Sequence, residues 1–165
     1  MKFQKYVLIL CLIVVLLIII YCWPRNITKH HQGIIYDSDN FTKEVDITLN
    51  LTLNKRILQK NTVKGTIRIN DEKFDVKTLE PISELQSLKE KYKGKYYRFH
   101  CYKWNENGDS YLDLVFSITK DFEYLWGPCP VFDRTYNLKG IKIAAPAKNK
   151  DEANKIPRTY FRTLY

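Results

Sequence analysis

A chain of 165 residues is long enough for one folded domain and too short for several. Its net charge of +9 favours contact with anionic surfaces, and the ordinary reading of such a balance is a Lys-rich, soluble face. Only three histidines and four cysteines are present. They lack the clustered spacing of a Cys/His metal domain, so no metal ligand and no cofactor is expected.

The first element is a greasy run, YVLILCLIVVLLIIIYCW, residues 6–23, with no charge. About 18–20 apolar residues cross a bilayer core as a helix, whereas a signal-peptide core is shorter. Tyr6 at one end, and Tyr21 and Trp23 at the other, stand where an interfacial aromatic belt belongs. The exit Ile19-Ile20-Tyr21-Cys22-Trp23-Pro24 has no small residue for cleavage. Tyr21 also occupies the position before Cys22, where a lipoprotein signal needs a small side chain. The segment therefore reads as a retained signal anchor. Lys2 and Lys5 nearly balance Arg25 and Lys29 across it, so the short leader decides orientation: N-terminus inside, C-terminal domain extracytoplasmic. The division is 1–5 leader, 6–23 transmembrane helix, 24–43 polar connector, 44–165 domain. Without Lys2 and Lys5 the remaining chain carries +7, since all 18 acids follow residue 24.

In VDITLNLTL, residues 45–53, apolar residues alternate strictly with polar ones, which predicts a strand with one buried face. A hairpin follows, with Val63, Ile67 and Ile69 facing Phe74 and Val76. Pairing Ile69 with Phe74 leaves Asn70–Lys73 as a four-residue loop. Residues 82–92 change to a helical period with Ile82, Leu85, Leu88 and Tyr92 on one face, Pro81 at its start and Gly94 at its exit. A second hairpin sets Tyr97, Phe99 and Cys101 against Leu112, Leu114, Phe116 and Ile118. Its register is Cys101 opposite Leu112 and His100 opposite Asp113, with Asn105–Gly108 as the loop. Short strands are expected over Glu123–Gly127 and Ile141–Ala145, and Asn149 with Glu152 predicts one capped helical turn stopped by Pro157. The expected fold is mainly β: an N-terminal transmembrane helix, then an antiparallel β-sandwich or partly open β-barrel with one short helix.

The search for chemistry returns no catalytic residue. His100 and Cys101 are strand neighbours and point to opposite faces, so one cannot activate the other. Cys129, in GPCP, escapes that objection, and an extracytoplasmic enzyme using His100 or Cys129 is the alternative from another class. A third reading is an immunity-type or regulatory membrane protein acting through its anchor helix. No phosphate-cradling glycine loop and no serine-nucleophile elbow occurs. An extracytoplasmic domain permits a disulfide between Cys101 and Cys129. In KEKYKGKYYR, Lys89, Lys91, Lys93, Lys95 and Arg98 interleave with tyrosines, a pattern that can follow a polyanion. An anchored domain directs that reading away from nucleic acid and toward anionic lipid, a wall polymer or another envelope protein.

The anchor, the Lys/Ile/Asn/Tyr-rich strands and the late segment KIAAPAKNKDEANKI, residues 142–156, together resemble small single-span envelope proteins of low-GC Gram-positive bacteria. The resemblance implies a cell-envelope location and brings no activity and no site residue with it. The reading is a membrane-tethered extracytoplasmic β domain that binds a partner or serves the envelope structurally.

Overall fold

The computed structural model describes residues 2–57, 61–78, 96–104 and 110–161. Helix α1 spans Lys2–Cys22. Within it Gln4–Cys22 has a mean hydropathy of 2.9 and none of its residues is buried inside the rest of the chain. It is long and apolar enough to cross a membrane, and by that test alone it fits a single-pass anchor or a signal sequence equally.

Eight antiparallel strands follow and close into a barrel in chain order. They are β1 Arg25–Tyr36, β2 Thr42–Asn54, β3 Thr62–Ile69, β4 Glu72–Thr78, β5 Tyr96–Trp104, β6 Ser110–Thr119, β7 Leu125–Pro128 and β8 Lys142–Ala145. Helix α2, Pro130–Tyr136, lies between β7 and β8, and α3, Lys150–Tyr160, follows β8. The alternation in β2 works as expected: Val45, Ile47, Leu49, Leu51 and Leu53 point inward and are buried. They join Ile67, Phe74, Phe99, Phe116 and Ile118 in one continuous cluster that fills the interior. Eight strands enclose a space that side chains of this size can fill. Each such side chain contributes about 1.5–3 kcal/mol of hydrophobic free energy.

A second, smaller cluster lies on the outside of the barrel. Ala153, Ile156 and Phe161 from α3 and its exit cover Ile34, Tyr36, Trp126 and Ala144. The indole of Trp126 donates to the Tyr36 hydroxyl at 3.2 Å beneath them. Helix α3 starts where the sequence places it. The Asn149 side chain accepts from the Glu152 N–H at 2.9 Å, and the Glu152 carboxylate accepts from the Lys148 N–H at 2.9 Å. Pro157 does not stop the helix as expected. It sits inside α3, buried, and the helix runs on to Tyr160. Ile156 packs on the barrel and Pro157 beside it is buried, which holds the last turn despite the missing N–H.

Three further expectations need correction. The first hairpin pairs Ile69 with Glu72 and Ile67 with Phe74, so its loop is only Asn70-Asp71. Asn70 adopts φ 51°, the left-handed conformation that a two-residue turn requires. The second hairpin pairs Cys101 with Leu114 and His100 with Val115, then shifts register at a bulge so that Tyr102 meets Leu112. His100 therefore does not face Asp113. The largest correction concerns residues 24–43: no connector exists there. Arg25–Tyr36 is a twelve-residue strand paired with β2 along its whole length, from Arg25 opposite Leu53 to Tyr36 opposite Thr42. Only Trp23 and Pro24 separate it from α1. The expected helix at 82–92 lies outside the described residues.

Candidate functional site

Strand β1 is long and its second neighbour is short. β8 pairs only with Ile34, Ile35 and Tyr36. Its ladder to β1 ends at Ala144 and the strand itself at Ala145, before Pro146, which has no N–H to donate. The chain crosses β1 closely here. A side chain on Gly33 would meet the Ala144 carbonyl at 2.6 Å and the Ala145 Cβ at 2.7 Å, so glycine is the residue that fits. One last backbone bond, from the Ala147 N–H to the Gln32 carbonyl at 3.2 Å, ends the contact.

Below that point the barrel wall is closed by side chains rather than by a ladder. The β6–β7 turn, residues 120–124, lies beside β1. Lys29 forms an ion pair with Glu123, and the His31 ring nitrogen Nε2 donates to the Phe122 carbonyl at 3.0 Å. That donor role fixes the Nε2–H form of the ring or its protonated state. Burial lowers the His31 pKa, against opposing effects of the Phe122 carbonyl and Glu123. Phe122 itself has φ 64°, an unfavourable conformation for an aromatic residue. The surroundings hold it there: its N–H donates to the Thr119 carbonyl at 2.9 Å and its ring stacks on Tyr97 at 5.5 Å between centroids.

The outer side of this seam is a groove of about 660 Å³ between β1 and α3. Strand geometry says what its floor offers. Both backbone groups of one residue point to the same edge, and alternate residues point to opposite edges. The Gln32 carbonyl faces the β8 side. Thr28 and His30 therefore turn their N–H and C=O groups toward the same side, where β8 has already left. Among the described residues no backbone partner meets them there. The walls are apolar with a basic rim. Tyr124 stacks on Tyr160 at 3.7 Å, Ile156 closes the base, and Lys148 and Lys155 stand above with Glu152. Glu152 is already engaged in capping α3. The arrangement can receive an extended chain.

The residues singled out from sequence do not converge on this groove. Lys89, Lys91, Lys93 and Lys95 lie outside the described residues. Arg98 is exposed on β5, which stands across the barrel from β1. His100 is also on β5, on the outer face, with Nδ1 3.4 Å from the Tyr102 hydroxyl. Burial lowers its pKa first, and Arg98 adds to that. Cys101 and Cys129 are free, fully buried thiols. Cys101 lies on β5 and Cys129 just beyond β7 as the N-cap of α2, and the two thiols are not bonded to each other. Burial pushes both thiols up, with Cys129 adding to the effect on Cys101 and Asp133 to that on Cys129. These are the features of packed thiols. Among the described residues no three His, Cys, Asp or Glu side chains cluster as a metal site.

Sequence reading missed Lys29, His31 and the open edge of β1. The available signal was the run Arg25–Tyr36 between Pro24 and the Asp37–Asn40 turn, which is strand-length and free of glycine except at 33. No family model, no curated protein and no solved structure matches this chain.

Proposed function

We propose that this protein is a membrane-tethered binding module of the cell envelope. Its extracytoplasmic barrel captures an extended polypeptide in the groove between β1 and α3. The observation that carries the reading is the unpaired edge at Thr28 and His30, set beside an apolar, basic-rimmed groove. An added strand would receive main-chain hydrogen bonds from that edge, and side chains on one of its faces would meet Tyr124, Tyr160 and Ile156. Lys148 and Lys155 favour acidic side chains on the bound segment. The charge-free run in α1 and its bulky exit support retention as an anchor, with the short leader inside.

The test is to pan the full-length protein, held in lipid nanodiscs, against displayed linear peptides. Enrichment of extended sequences with acids at alternate positions is expected. Thr28→Pro removes an N–H from the open edge and leaves the ladder to β2 intact, so it should abolish that enrichment while the barrel stays folded. Equal enrichment by the wild type and Thr28→Pro would remove strand addition as the mode of binding.

A further inference from the structure

The β2–β3 connection returns to the point where α1 leaves. Arg25, three residues after the helix, pairs with Leu53, and the loop begins two residues later at Lys55. The Lys55 ammonium lies over the ring of Tyr21, the penultimate residue of α1, at 5.3 Å from its centroid. The Asn61 side chain accepts from the Arg56 N–H at 3.2 Å. Ile57, which follows Arg56, is 54% exposed. Outside α1, only Trp23, Ile57 and Tyr160 among the described residues are large hydrophobic side chains left exposed. Two of the three therefore flank the helix exit. The surrounding charge has one sign: between Asp46 and Asp71 the chain carries Lys55, Arg56, Lys60, Lys64 and Arg68 and no acid.

An isolated exposed isoleucine needs no explanation in general. This one directly follows two cationic side chains, Lys55 and Arg56, and Lys55 is stacked on the last turn of a helix long and apolar enough to cross a bilayer. That combination is the chemistry of an interface, where apolar side chains enter the headgroup–acyl boundary and Lys and Arg meet anionic headgroups. We infer that Lys55–Ile57, at the start of the β2–β3 connection, form a second membrane contact: Ile57 and Trp23 enter the interface, and Lys55 and Arg56 bind anionic lipid headgroups, seating the barrel on the bilayer. The inference rests on α1 being a retained anchor, and it is independent of the groove.

The test uses the full chain with Cys11→Ala and Cys22→Ala, reconstituted in vesicles of phosphatidylcholine alone or with roughly a third phosphatidylglycerol. An environment-sensitive dye is attached at Ile57→Cys or, at the opposite end of the barrel, at Ser38→Cys. Cys101 and Cys129 are buried and stay unlabelled. The dye at position 57 should be quenched severalfold more than that at 38 by nitroxide-bearing lipids, most strongly in the anionic vesicles. Lys55→Glu with Arg56→Glu should remove the anionic enhancement. A dye at 57 as water-exposed as that at 38, on protein that still floats with the vesicles, would overturn the loop contact and leave the anchor standing. Protein that fails to float would overturn the anchor, and the loop contact with it.

Discussion

The barrel wall is built in two ways. From β1 through β2, β3 and β4 each strand meets the next in a ladder of six or more residue pairs, and β5 pairs with β6 over nine. Across the β8–β1 closure the ladder has three pairs, and below it Lys29, His31, Phe122 and Glu123 finish the wall with side chains. Behind the ladder the interior is apolar, at the seam Lys29 and His31 point inward, and the backbone is used differently in the two. A ladder consumes the hydrogen-bonding capacity of both strands. A side-chain bridge closes the same gap and leaves the edge of β1 at Thr28 and His30 available. The seam thus keeps a barrel shut without covering the strand edge that strand addition needs.

The contrast makes graded predictions. Phe116→Ala, on the laddered wall, should lower stability by about 3–5 kcal/mol in chemical denaturation of the detergent-solubilised protein. An effect below about 1 kcal/mol would mean that the interior is loosely filled and the wall is not the stable half. Amide exchange should split β1 in two. The Thr28 and His30 amides should exchange about a hundredfold faster than that of Ile34, which faces β8 and is paired with Ala144. Equal protection along β1 would show the edge covered and erase the contrast.

Smaller effects belong to the seam. His31 has its pKa lowered by burial, so the unfolded chain takes up the proton first. Its contribution is complete above the unfolded value of about 6.5 and is lost as pH falls from there through the lowered folded value. His31→Gln should flatten that part of the stability–pH profile, measured by thermal melts between about pH 4 and 8. His100 remains in the variant and keeps a dependence of the same sign. Lys29→Ala should cost below about 1 kcal/mol, because the pair with Glu123 is 36% and 47% exposed and screened by water. A loss as large as that of Phe116→Ala would make the bridge, rather than the ladder, the principal closure.

What the sequence shows, and where it goes quiet, follows from the same two kinds of wall. Strand β2 is legible because one face meets the filled interior and the other meets water, which is the condition for clean alternation. Both hairpins had their inward faces right, since Ile67, Ile69, Phe74, Phe99 and Phe116 are all buried. Their partners were displaced because a shift of two residues leaves every face unchanged. The left-handed turn at Asn70 and the bulge beside Tyr102 choose among registers that periodicity treats as equal. Strand β1 was illegible because it obeys neither pattern. Its inward residues Lys29 and His31 are polar, since they bridge to a turn, and its outward residues Ile34 and Tyr36 are buried, since α3 covers them. The groove inherits that silence: its floor is backbone, and backbone has no residue signature.

The missing stalk has a consequence for where a partner can be. His30 lies eight residues beyond Cys22, so with α1 in the bilayer the open edge stands no more than about 29 Å of extended chain from the end of the helix. A domain on a flexible leash would sweep a volume and meet freely diffusing molecules. If α1 stays in the bilayer as proposed, β1 sets a fixed height, and the groove would meet only what is presented in a thin layer above the membrane plane. Segments flanking the transmembrane helices of other proteins populate that layer by construction. Lengthening the Trp23–Pro24 junction would blur the height without touching the groove.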